Sequence, residues 1–347
     1  MEENAPKKRS KFKTVMKTAI GFLLFIVIVP VIAFNVSPFA GSMLIRALFN
    51  HPPQEPPEHL SYSEYIDVSK DIAYGASKYE LLDLYLPKDK GGPCPLIIWI
   101  HGGAFVGGDK KDATYLAHAL AFNGYAVAVI NYSRAPEAPY PTPVLQTGGA
   151  YTFLTQGDYS DKERIDTQKV FFAGDSAGAH IAAQFLILQT NLPYREAFLE
   201  TNGSESLPEV IPEETLKGAL LYCGPFSVQR FSGVSHPLLK FLVWQTGWAY
   251  FGDRNLSTSS VADEIDLIQH VTGDFPAVFI TDGNSMSFLD HARDLSAKLS
   301  GQGVYVKELF FDDEGESVPH EYQFELQSEA GQVSLEQALE FLSHCLK

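Results

Sequence analysis

The sequence predicts an α/β fold: a mostly parallel central sheet with helices on both faces, a partial cap, and an N-terminal transmembrane helix. Three observations carry this expectation. Short continuous apolar runs alternate with helix-like segments along most of the 347 residues, the pattern of a parallel sheet covered on both sides. Two segments, near 191–214 and 225–272, break that rhythm on the side where open α/β sheets bind ligands, and they are read as cap insertions. Residues 18–45 contain no charged side chain.

The elements follow in order. Lys7, Lys8, Arg9, Lys11, Lys13 and Lys17 precede the apolar run AIGFLLFIVIVPVIAF. A bilayer-spanning helix needs about 20 such residues. Residues 1–17 are therefore read as a basic cytoplasmic terminus and 18–36 as an anchor, which places the bulk of the protein outside the cytoplasm. Pro30 is compatible with a membrane helix. A cleaved signal peptide is the competing reading, against which stand the length of the run and the lack of an A-x-A site after it. Residues 37–60 are read as a linker, because the prolines of NHPPQEPPEHL favour extended backbone. The globular domain spans 61–347.

Alternation in YELLDLYLP, Tyr79 to Pro87, predicts an early antiparallel strand. PLIIWI, YAVAVINY, KVFFAG, GALLYCG, PAVFIT and YVKELFF predict buried strands. DATYLAHALAFNG, PTPVLQTGGAYTFLTQ, AGAHIAAQFLILQT and SLEQALEFLSHCLK predict helices, the first closed by Gly124. The aromatic HPLLKFLVWQTGWAYFG of the second insertion suits a lid over a pocket or an outer packing helix.

Composition sets limits. The chain is 45% hydrophobic and 20% charged, enough to bury a full core, and its formal net charge is −16. That charge disfavours a nucleic-acid partner, since phosphate binding needs a basic face. Three widely spaced cysteines, Cys94, Cys223 and Cys345, indicate neither a zinc site nor a disulfide framework. The acidic DDEGE, Asp312 to Glu316, is read as a solvated turn, its spacing fitting no calcium loop. Oligomeric state is not legible.

The chemistry centres on FFAGDSAGAH, Phe171 to His180. A strand enters Ser176 and a helix leaves it, the arrangement that exposes a nucleophilic serine on a strained turn. Gly174 and Gly178 allow strand and helix to approach closely. The helix start at Ala177 offers a free N–H to a developing negative charge. HGGAFVGG, His101 to Gly108, follows the strand PLIIWI. Its Gly102 and Gly103 amides, with that of Ala177, are the candidate oxyanion donors, and Ala104 is a substitute. His101 is read as a loop-fixing side chain, Asp175 as steadying the turn, and His180 as packed near the core.

HGGAF, NYSRAPEAPYPTP, GDSAGAH and PHEYQF occur in that order. Together they resemble the α/β-hydrolases of the hormone-sensitive-lipase type, the fold-3 esterase/lipase group. Ser133-Arg134 stands where that group has Arg-Leu. The resemblance covers Tyr79 to Lys347. It implies the α/β-hydrolase fold and serine-dependent cleavage of small-molecule carboxylic esters of short acyl length, with no metal and no organic cofactor. The chain order in this fold is serine, acid, histidine, with the histidine after the last strand. Of ten histidines, His320 occupies that place and is the candidate base; the only later one, His344, belongs to the terminal helix. The acid is expected just beyond PAVFIT, but the group's G-x-x-D-P-L pattern puts Met286 at the aspartate position. Asp282 is the first candidate, Asp290 the second, and a dyad without a carboxylate the third. Amide or formamide hydrolysis is a close variant, and a non-catalytic surface binding module is the reading from another class.

Overall fold

In the computed structural model, eight strands form one sheet: β1 Ile66–Ala73, β2 Leu81–Pro87, β3 Cys94–Ile100, β4 Ala126–Ile130, β5 Ile165–Asp175, β6 Leu216–Tyr222, β7 Val278–Asp282 and β8 Val306–Phe310. The structure describes residues 8–50, 52–203, 207–231, 237–311 and 315–347, with backbone alone at 8–13, 20, 23, 24 and 27. The basic residue Lys7, parts of both cap segments (204–206 and 232–236) and part of the acidic turn (312–314) lie outside the described residues.

The strand order is β1-β2-β4-β3-β5-β6-β7-β8. β1 and β2 pair antiparallel, as do β2 and β4; every later pair is parallel. Every residue of β3 and β4 is buried, which explains their unbroken apolar sequences: alternate side chains point to opposite faces, and both faces are covered. Leu96, Ile98 and Ile100 join a core with Ile181, Phe185 and Leu188, while Ile97 and Trp99 join one with Leu116, Leu120, Phe341 and Leu342. Each fully buried aliphatic side chain of this kind contributes about 1.5–3 kcal/mol.

The helices are α1 Lys8–Val36, α2 Pro38–Phe49, α3 Glu58–Ser61, α4 Thr114–Phe122, α5 Thr142–Gln156, α6 Ala177–Thr190, α7 Leu192–Asn202, α8 Val228–Phe231, α9 Pro237–Phe251, α10 Ala262–Ile265, α11 Leu289–Gly301 and α12 Glu329–Cys345. α6 runs through the interior, with only Thr190 of its residues not fully buried. α7 lies in the first cap segment; α8, α9 and α10 lie in the second.

Two features differ from the sequence expectation. The first helix starts at Lys8, within the basic segment, rather than at residue 18. Among the described residues no single helix is long and apolar enough to cross a membrane; Ile28–Val36 and Pro38–Phe49 meet the requirement together but are bent by 105°. The second difference is that the stretch read as a linker holds α2. The Ser37 hydroxyl caps it by accepting from the Phe39 amide, and Pro38 fills the first turn, where no N–H is needed. α2 docks on the cap: Gly41 lies against Gln245 of α9. Arg46 bonds the Val106 carbonyl at 2.6 Å and Glu137 Oε1 at 2.9 Å.

Candidate active site

Ser176 stands between the end of β5 and the start of α6, with φ +50° and ψ −118°. A non-glycine residue adopts that backbone only where its surroundings enforce it. Here the Ser176 amide donates to the Tyr222 carbonyl at 2.8 Å, pinning the turn to the end of β6. The helix then begins at Ala177, whose amide is one of the orphan donors of a helix N-terminus.

His320 lies in the loop after β8, its Nε2 3.0 Å from Ser176 Oγ. Its backbone is fixed by donation from its own amide to the Ser285 carbonyl at 3.1 Å. On the far side of the ring, Nδ1 is 3.5 Å from Asp282 Oδ1. That is long for a hydrogen bond; the contact is a charge interaction that a protonated ring draws closer. Burial disfavours the imidazolium, but the Asp282 carboxylate and the Glu321 charge outweigh it, so the His320 pKa is raised above its ordinary value.

Asp282 ends β7 with no exposed surface, and accepts the amides of Gly283 at 2.8 Å and Phe288 at 2.7 Å. Asp290 sits in the first turn of α11, 67% exposed and 3.8 Å from Arg230 Nη1. Of the two candidate acids, only Asp282 is beside His320. Met286 is a lining residue of the cavity above Ser176.

The oxyanion set needs one correction. The Gly102 amide donates to Asp175 Oδ2 at 2.8 Å, so it is not free to receive a negative oxygen. Gly103, Ala104 and Phe105 follow with φ of +103°, +54° and +59°, a left-handed run that ends the extended backbone of β3. The amides of Gly103 and Ala104 find no acceptor among the described residues. Ala104 and Ala177 line the same cavity as Ser176, whereas Gly103 lines the neighbouring one. Ala104, the substitute, is thus better placed than Gly102.

The surroundings hold this loop. His101 is buried, its Nδ1 2.7 Å from the Gly102 carbonyl, and burial lowers its pKa to about 4, so it is neutral. It stacks on Tyr132, whose hydroxyl donates to the His101 carbonyl at 3.0 Å. Arg134 donates to the Gly108 carbonyl at 2.8 Å. The NYSRAPEAPYPTP segment therefore serves as a brace for HGGAFVGG. His180 is likewise buried, lowered to about 4, with Nδ1 2.8 Å from the Pro225 carbonyl. Cys223 is fully buried and burial raises its thiol well above the ordinary range, so it is no nucleophile.

Cys223, Asp282 and His320 form the one trio among the described residues with potential metal-ligand atoms within 4.8 Å of one another. Both Asp282 oxygens and His320 Nε2 are already engaged as described.

The cavity over Ser176 measures about 370 Å³ and is mainly apolar, with Leu239, Leu242 and Val243 from α9 and Phe288 from the acid loop. Phe49 of α2 also lines it. Sequence reasoning placed that residue in a linker; the capping serine followed by proline was the available signal.

The BD-FAE family model matches residues 82–299, more than half of the chain. The probable isoprenylcysteine alpha-carbonyl methylesterase ICME of Oryza sativa subsp. japonica is 34% identical over 124 residues, 35% of this chain and 29% of that protein. The probable carboxylesterase 1 of Arabidopsis thaliana is 34% identical over 134 residues, 35% of this chain and 42% of that one. The kynurenine formamidase of Danio rerio is 34% identical over 116 residues, 33% and 38%. The chain thus spans less than half the length of these relatives. Among solved structures, esterase B from Lactobacillus Rhamnosis superposes with a TM-score of 0.69 at 19% identity, covering 91% of this chain and 95% of that one. The carboxylesterase EstE1 gives 0.64 at 19%, covering 90% and 99%. These likenesses show the α/β-hydrolase fold.

Proposed function

The chain belongs to the BD-FAE family, and from that premise we propose that it is a serine hydrolase cleaving carboxylic esters through an acyl-enzyme. The observation that carries the reading is the 3.0 Å approach of His320 Nε2 to Ser176 Oγ, with Asp282 behind the ring. Ser176 Oγ attacks the ester carbonyl as His320 takes its proton. The Ala104 and Ala177 amides, with Gly103 adjacent, receive the negative oxygen. Asp282 stabilises the imidazolium, which then protonates the leaving alcohol. Water, deprotonated by the same nitrogen, releases the acid and restores Ser176. Each atom in this sequence comes from the chain, the ester or water.

The apolar lining of the cavity supports an ester with an apolar acyl or alcohol group. Formamide or amide hydrolysis is the second reading, favoured by the relative named a kynurenine formamidase. A binding module without activity is disfavoured by the intact serine, imidazole and carboxylate geometry. Hydrolysis of p-nitrophenyl esters from acetate to decanoate, beside N-formyl arylamines, tests the assignment. Ester turnover lost in Ser176→Ala is expected; turnover of formamides alone would favour the second reading.

Residues 18–36, although no single described helix meets the length and apolarity of a span, are proposed as a membrane anchor that leaves the basic terminus cytoplasmic and the hydrolase domain outside. Support comes from the uncharged stretch 18–45 and from the exposed side chains of Phe22, Phe25, Ile26, Val31 and Ile32. Such side chains exposed together mark a contact surface. Sedimentation of the full chain with membranes, and its release on removing residues 1–36, is the expected result.

A further inference from the structure

Asp175, next to Ser176, is only 2% exposed. Its Oδ1 accepts the Trp99 indole N–H at 2.8 Å and its Oδ2 the Gly102 amide at 2.8 Å. Among the described residues no lysine, arginine or histidine forms an ion pair with it. The group that faces it is another carboxyl, Glu321, the residue after His320. Gly102 separates the two: a Cβ added there would overlap Asp175 Oδ2 and lie 2.7 Å from Glu321 Oε1. Both oxygens thus approach the same side of Gly102, with no backbone between them and that position. Glu321 is held for this contact in a left-handed conformation, φ +61°, with its amide donating to Cys223 Sγ at 3.4 Å. Left-handed backbone is unfavourable for a residue with a side chain.

We infer that Glu321 is a positioning residue whose carboxyl shares one proton with Asp175, tying the loop that carries His320 to the loop that carries the oxyanion amides. The inference rests on the serine-hydrolase reading for its kinetic consequences alone. Two carboxylates facing each other across one glycine without a cation repel, so the buried Asp175 keeps a proton that an isolated acid would release. Burial first, and Glu321 second, hold Asp175 well above the carboxylate range. The other titratable groups facing the pair are Asp112, pushed up to about 6 mainly by burial, Tyr132, Cys223 and His320. Lys111 and Arg134 act at one remove, through Asp112 and Tyr132. When the shared proton leaves to solvent, repulsion moves Glu321 toward the cavity of about 170 Å³ that it lines with Gly102, Gly103 and Asp112. His320, one residue away, moves with it, and the Asp175 anchor of Gly102 is disturbed.

Glu321→Gln separates this from a packing role. The amide pairs with Asp175 in either protonation state, so the contact persists and no second carboxylate is left to repel it. At pH 7 the variant keeps kcat for p-nitrophenyl acetate within about threefold, and the alkaline fall of wild-type kcat moves to higher pH. Glu321→Ala removes the donor and lowers kcat about tenfold with little change in KM, as loss of alignment does. Melting against pH gives a readout independent of activity. A folded state that holds Asp175's proton is favoured below its ordinary value of 3.8. It loses that advantage as pH rises through the raised folded value. Wild type should therefore lose stability relative to Glu321→Gln over that interval. Parallel melting curves, or a Glu321→Gln profile whose alkaline limb stays in place, would overturn the inference. If wild type neither turns over the ester nor acylates Ser176, the enzyme reading fails, and the melting comparison alone then decides the shared proton.

Discussion

Asp282→Asn is the substitution whose effect the geometry sets most directly. Asp282 Oδ1 lies 3.5 Å from His320 Nδ1. At an effective dielectric constant of about 20, two unit charges at that distance attract by about 5 kcal/mol. The His320 side chain is 19% exposed, and solvent screening reduces this to about 3 kcal/mol. That is roughly a hundredfold in kcat, since each 1.36 kcal/mol is tenfold. A second effect adds to it. Both carboxylate oxygens accept backbone amides, so the asparagine must turn an NH2 toward a donor, either N–H or imidazole. The unsatisfied buried contact destabilises the fold by about 1–3 kcal/mol. The assay is p-nitrophenyl acetate hydrolysis from pH 5 to 9, with a thermal melt alongside. The proposed base is neutral His320, and Asp282 raises its pKa. The acid limb of wild-type kcat/KM therefore lies above 6.5, and in Asp282→Asn it moves to lower pH. An Asp282→Asn enzyme within threefold of wild type, with its acid limb in place, would exclude Asp282 as the partner of His320, most decisively if Asp290→Asn showed the loss instead.

Three further outcomes follow from the same structure. Arg46→Met removes the bonds from α2 to Val106 and Glu137 and should lower stability by about 1–3 kcal/mol, read as a drop in urea midpoint. Leu242→Trp fills part of the cavity over Ser176 and should raise KM for decanoyl more than for acetyl esters, by about tenfold in the ratio; an equal effect on both would mean that the acyl group lies elsewhere. Gly102→Ala forces a Cβ into the Asp175–Glu321 contact and should cost at least as much activity as Glu321→Ala, checked by active-site titration of the folded fraction.

Much of this architecture is legible in the residues because burial dictates their pattern. β3, β4 and the inner part of β5 are covered on both faces and read as unbroken apolar runs. β1 escapes such a reading: it is an edge strand, mixes buried Ile66 with exposed Asp67 and half-buried Val68 and Ser69, and includes Lys70 and Asp71. α2 is hidden for another reason. Its apolar residues continue those of α1 in sequence, and only tertiary contact with α9 shows that they belong to the domain. At the site, Ser176 and His320 are set by local turn chemistry and chain order, which sequence records. Asp282 stands at a strand end, displaced from the position a family pattern assigns, and only the fold brings it to His320. The Gly102 amide illustrates the limit most clearly. Two glycines in HGG look equivalent as donors until the Asp175 side chain, remote in sequence, claims one of them.

The proposed function requires the folded chain to activate one serine through one imidazole. Intact-protein and peptide mass spectrometry after brief exposure to a fluorophosphonate measures this without assuming a substrate. A single adduct is expected on the peptide bearing Ser176, absent in Ser176→Ala and formed at least a hundredfold more slowly in His320→Ala. An unmodified Ser176 in folded wild type, or equal labelling rates in wild type and His320→Ala, would contradict it.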